Sequence, residues 1–319
     1  MPKQIAPYQA AVSVNNEILF HAANIAYEAG RNSLAPAFGR DMGILCKEIK
    51  AVLSLEGKTL TPSQMRALER GEELKTMQEA NALRRLFLKM GRIDPYDPSF
   101  FQEYEKEMFP NGVPTRLSRR VESFPYPIPL KAKVPAMVKG FYSFAKKGQS
   151  RHPLIVAALF YFEIMALQPY STGTEPLALY LMKAVLVNYE KSFLNAPILV
   201  AFASNYESLQ EAYKESVEKA DTAPFVLKAL SVFEKAIHQA EKKAMREKNQ
   251  GTPLVDKLLS KMEEGKFYSA QDLLALLGLT SRLGLAKNYL RPALEAGLLE
   301  RSNPLVPTDR NQRYRKVNP

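Results

Sequence analysis

The chain of 319 residues is long enough for two domains, and its 46% hydrophobic and 24% charged residues suit a protein that folds around a sizeable core. A net charge of +11 favours polyanionic partners: nucleic acid, acidic protein or an anionic surface. A single cysteine, Cys46, excludes an intrachain disulfide, and the histidines His21, His152 and His238 are too scattered to suggest a metal site.

In chain order, the N-terminal stretch MPKQIAPYQAAVS lacks the apolar core of a signal peptide. The best apolar run, Pro153 to Phe162, is too short to span a bilayer, so the expected setting is cytoplasmic with no membrane partner. Apolar residues at three- and four-residue spacings predict helices over 15–35 and 40–55, with Gly57 at the second helix's end. Thr61 and Pro62 predict an N-cap and a first-turn proline, and 73–90 a further amphipathic helix. Between Asp94 and Pro135, prolines at 95, 98, 110, 114, 125, 127, 129 and 135 predict loop or a short edge hairpin, with RRVESF its best strand. Helices are then predicted over 134–147, 153–167, 175–186, 206–218 and 223–246, and EKKAMREKNQGTP reads as a linker.

From about Thr252 a small separate domain begins. Its expected order is a helix (253–264), a short strand at Phe267-Tyr268, a second helix (270–277), a Gly278-Leu279-Thr280 turn and a third helix from Ser281. The strands EAGLLERS and QRYRKV then flank a wing, NPLVPTDRN, which is the order of a winged helix-turn-helix. Pro292 is expected to end or kink the third helix early.

Charge is unevenly spread. From Arg116 to Arg151 nine basic residues stand against one acid, Glu122; the tail repeats the bias with Arg301, Arg310, Arg313, Arg315 and Lys316 against Asp309.

The stretch ALQPYSTGTEPLALYL, 166–181, joins a buried apolar helix to a new helix start through a short polar turn. Free N–H groups and the helix dipole make such a start an anion cradle, yet this one holds no base, no metal-binding carboxylate and no arginine. An αα-corner with a polar turn is the plainer reading.

SRHPLIVAALFYFEIMALQPYSTGT resembles the core of the Fic (Fido-fold) family, whose His-Pro-Leu/Phe-Ile helix start precedes the signature His-x-Phe-x-Asp/Glu-Gly-Asn-Gly-Arg-x-x-Arg. KEIKAVLSLEGKTLTPSQM is similar to the segment upstream of that signature, SNYESLQEAYKESVEKADTAPFVLKAL to the helix pair after it, and NYLRPALEAGLLERSNPLVPTDRNQRYR to a winged-helix tail; together they cover roughly residues 40–319. The resemblance implies a mainly α fold: a helical Fido core with a small β-hairpin flap, plus a C-terminal winged helix-turn-helix. The implied division is an N-terminal helical region (1–100), the Fic core (101–250) and the winged helix (251–319).

The family's reaction is AMP transfer from ATP to a protein hydroxyl, with a histidine base, an acid holding Mg²⁺ and arginines clamping phosphates. Here the base position is Gln168 and the acidic position Thr172. Gly173 survives, Glu175 replaces a glycine, and the arginine positions are Pro176 and Leu179. The expectation is therefore no catalytic residue, no metal and no cofactor, and a non-catalytic, DNA-associated regulator or scaffold. The alternative is weak or altered adenylyl transfer using ATP and Mg²⁺.

Glu56 falls at the family's inhibitory glutamate, but its arginine partner would be Leu179, so a polar helix end is the simpler reading. Arg116, Arg119, Arg120 and Tyr126 fall in the flap that would dock a target peptide. For DNA, the third helix would present Ser281, Arg282, Lys287, Asn288 and Arg291, and the wing Arg310, Arg313 and Arg315. A protein partner or a homodimer are the other expectations for the tail.

Overall fold

The computed structural model describes residues 12–30, 40–114, 134–147, 151–249, 253–295, 298–303, 309 and 311–317. The chain forms two compact units, 1–241 and 242–319. The first unit is helical: α1 (Asn16–Gly30), α2 (Met42–Leu55), α3 (Pro62–Arg70), α4 (Gln78–Lys89), α5 (Phe100–Met108), α6 (Val134–Lys147), α7 (Pro153–Leu167), α8 (Thr174–Tyr189), α9 (Ile198–Ser204), α10 (Tyr206–Lys219) and the start of α11 (Ala223–Asn249). Among the described residues no helix is long and apolar enough to cross a membrane.

The antiparallel neighbours α7 and α8 form the centre, and their sequences explain why. Both are apolar around the whole circumference, so both are enclosed on every side. His152 caps α7, its Nδ1 accepting the Leu154 N–H at 3.3 Å, and Pro153 takes the first helical position, where no donor is needed. Aromatic rings weld the other helices to this pair: Tyr180 stacks on Phe87 and Phe100, and Phe162 on Tyr213 with centroids 4.2 Å apart. Each such buried ring contributes about 1.5–3 kcal/mol of apolar transfer. Beside them, Lys183 of α8 is fully buried against Glu48 of α2, which also accepts from Arg40 at 3.1 Å and from the Leu199 N–H at 3.2 Å. Burial drags Lys183 down to about 8 despite the opposing pull of Glu48.

In the second unit α12 (Pro253–Lys261), β1 (Tyr268–Ser269) and α13 (Ala270–Leu277) precede a third helix. That helix runs as α14 (Arg282–Leu285), a wider π turn at Ala286–Leu290 and α15 (Arg291–Glu295), followed by β2 (Leu299–Arg301) and β3 (Arg313–Lys316). The sheet is antiparallel in the order β1-β3-β2, with Tyr314 opposite both Tyr268 and Arg301. Val255, Leu258, Leu273, Leu285, Ala293 and Leu299 form the unit's own core.

Four expectations need correction. The proline-rich stretch contains a helix, α5: Ser99 to Phe109 is free of proline, and Phe100, Phe101, Tyr104 and Met108 supply one apolar face. α4 starts at Gln78, not Glu73, because the Asn81 amide holds both the N–H and the C=O of Leu74 at 2.9 Å in a loop. The expected linker is helical to Asn249, its Glu, Lys, Ala, Met and Arg all being good helix formers. Pro292 does not stop the third helix: the Arg291 N–H reaches back five residues to the Ala286 carbonyl, so a wider turn absorbs the ring. RRVESF and the rest of the expected flap lie outside the described residues.

Candidate functional site

The turn between α7 and α8 is held in place. α7 ends at Gln168 in a left-handed conformation (φ 44°, ψ 62°), one that a residue with a side chain seldom adopts. Thr174 Oγ1 then donates to the Tyr170 carbonyl and accepts the Tyr170 N–H, both at 3.2 Å, closing the turn on itself. Gly173 (φ 83°) sits at the start of α8, where a Cβ would come within 2.8 Å of the Phe109 ring. From α5, Tyr104 donates to the Gly173 carbonyl at 2.7 Å, and Tyr170 donates to Glu105 at 2.9 Å. The Ser171 N–H donates to the Pro114 carbonyl at 3.1 Å.

Two carboxylates occupy the cradle. Glu56, just past α2, faces the Gly173 N–H; burial pushes its carboxyl up, against the pull of Lys58 and that N–H. Glu175, in the first turn of α8, accepts from the Tyr161 hydroxyl at 2.6 Å and the Tyr206 hydroxyl at 3.0 Å. Burial, with the charge of Glu56, lifts Glu175 to about 7 although both phenols favour its ionised form. The helix start that would attract a phosphate thus already has two internal carboxyl groups beside it, Glu175 giving up its proton only near pH 7.

The other motif positions agree with this picture. Gln168, Pro176 and Leu179 are buried, Pro176 brings no N–H, and Thr172 is exposed. Among the described residues no cluster of three or more His, Cys, Asp or Glu is placed to hold a metal ion. This donor set does not fit a magnesium–triphosphate: a hydroxyl and an amide stand where a carboxylate and a base are needed, and the Glu56 and Glu175 carboxyls repel phosphates whenever they are ionised. His152 caps the opposite end of α7, a 15-residue helix about 22 Å long, and takes no part in the turn. Tyr104, Tyr161 and Tyr206 are site residues that sequence reasoning missed. Tyr161 was within reach of it, lying seven residues before Gln168 on the same helical face.

In the second unit, Ser281 caps the third helix, accepting the Gly284 N–H at 3.0 Å. Arg282, Lys287, Asn288 and Arg291 are exposed on that helix, and Arg313 is exposed on β3. Arg315 behaves differently: it pairs with Glu300 and lies 4.7 Å over the Phe267 ring. Arg310, Arg116, Arg119, Arg120 and Tyr126 lie outside the described residues.

An all-helical unit built on a helix–turn–helix anion cradle, followed by a small α/β unit, matches known proteins in both parts. Residues 253–316 match the family model described as filamentation induced by cAMP protein Fic-like, C-terminal domain. A crystal structure of a Fic family protein from Desulfovibrio desulfuricans G20 superposes with a TM-score of 0.66 at 23% identity, covering 98% of this chain and 99% of that one. No curated protein sequence matches the chain. The chain has the fold of a Fic family protein, and its residues 253–316 match the Fic-like C-terminal domain.

Proposed function

We propose that this chain is a non-catalytic Fic-fold protein, a regulator or scaffold that works by binding. The observation that carries this reading is Glu175, buried in the first turn of α8 and held by the Tyr161 and Tyr206 hydroxyls, with Glu56 facing the Gly173 N–H. Adenylyl transfer needs a base, a metal-bound triphosphate and cations on the transferred group. Gln168, Thr172, Pro176 and Leu179 supply none of these. A buried lone cysteine, Cys46, favours a reducing, cytoplasmic setting.

Binding falls to the second unit, which we read as a winged helix. Its helix–strand–helix–helix–hairpin order and β1-β3-β2 sheet support that reading. Exposed Arg282, Lys287, Asn288 and Arg291 favour duplex DNA as the ligand. Against DNA, Arg315 is already neutralised by Glu300, and Leu283 stands 78% exposed on the same helix. Those two features tip the reading toward protein.

Incubation with α-labelled ATP and Mg²⁺ tests the non-catalytic reading. No label is expected on the chain or on added protein. Incorporation that disappears in Gln168→Ala overturns it.

A further inference from the structure

Within the second unit, the third helix and the sheet enclose an open groove of about 670 Å³. Its floor is apolar, with Leu290, Leu294 and Tyr314, and Leu283 stands at its mouth. Leu283, Leu290 and Leu294 recur at helical spacing along about 16 Å of the helix, so the apolar stripe follows the helix axis. Lys287, Arg291 and Arg301 rim it, and no acid lines it among the described residues. The Nε of Arg301 is buried without a hydrogen-bond partner, on the edge strand β2.

We infer that this groove docks an acidic amphipathic helix of a partner protein. Three properties select that occupant. An exposed leucine beside an apolar floor gains stability only against an apolar surface. A stripe at helical spacing along three turns matches the apolar face of a second helix. A rim of cations attracts carboxylates flanking that face, and the Arg301 Nε supplies a donor that lacks an acceptor. Duplex DNA would satisfy the cations but leave the leucines against sugar and phosphate, with only thymine methyls as apolar partners.

The inference rests on reading the chain as an interaction protein and names the partner class. The test is fluorescence anisotropy on the full chain, using a labelled peptide of about four helical turns. It carries leucines at i, i+3, i+7 and i+11 and glutamates on the other faces; the controls are its scrambled version and its lysine-for-glutamate version. The acidic peptide should bind at least about tenfold tighter than either control. Leu283→Ser, at an exposed position that folding does not use, should weaken it about fivefold or more. Lys287→Glu with Arg291→Glu should abolish it and bring in the lysine peptide. Equal binding of the acidic and scrambled peptides overturns the inference. So does a duplex DNA that displaces the peptide, binds more tightly, and is unaffected by Leu283→Ser. Label transfer from ATP would overturn the non-catalytic reading while leaving the peptide result intact, so the two failures are distinguishable.

Discussion

The start of α8 and the third helix of the second unit handle charge in opposite ways. Along the buried length of α8 the charged groups are turned inward: Glu175 meets two phenols, Lys183 lies buried against Glu48, and Glu56 faces the Gly173 N–H. On the third helix, Arg282, Lys287, Asn288 and Arg291 face solvent beside an exposed leucine. A site filled by its own side chains is committed to stability, whereas a face left open with mixed apolar and cationic character is available to a partner. On the proposed reading, a partner meets the third helix and not the cradle.

Removing a buried charge should have the largest effect. Lys183→Met leaves Glu48 enclosed with one cation fewer, and chemical denaturation should show a loss of about 3–5 kcal/mol. Next is Gly173→Ala, which forces a side chain into left-handed backbone and against Phe109. It should cost about 2–4 kcal/mol by the same measurement.

Glu175 gives a pH signature. Its folded-state pKa of about 7 lies above the usual 4.5, so the folded chain holds a proton that the unfolded chain releases between those values. The stabilising contribution is complete below about pH 4.5 and is lost as pH rises through 7, a change of up to about 3 kcal/mol. Glu175→Gln should remove that slope, matching wild type in acid and exceeding it at pH 8 in thermal melts. A variant with an unchanged slope would mean that Glu175 is solvated. The smallest effect belongs to the second unit: Arg315→Ala breaks a half-exposed pair with Glu300 and should cost no more than about 1 kcal/mol. A larger loss would blur the contrast between the two regions.

Much of this layout is legible in the sequence where local chemistry dictates it. His152-Pro153 and an unbroken apolar run fix α7, Thr61 and Pro62 fix the start of α3, and Ser269 with Asp272 forms a capping box that starts α13. The turn is visible too, because Gly173 and the loss of base, acid and arginines can be counted along the chain. What is not legible depends on contacts between distant segments. Nothing local says that Glu56 reaches Gly173, or that Tyr206 of α10 shares Glu175 with Tyr161 of α7. α5 was hidden because the prolines flanking it outweighed its short apolar face, and Tyr104 and Phe109 were hidden with it. The passage of the third helix through Pro292 depends on a π turn that propensity does not encode.

The most direct measurement is a calorimetric titration of the wild-type chain with ATP and Mg²⁺. With Glu175 buried at the start of α8 and Glu56 facing the Gly173 N–H, the titration should give no saturable heat. Saturable binding at substrate-like affinity, about 1 mM or tighter, would contradict the closed cradle.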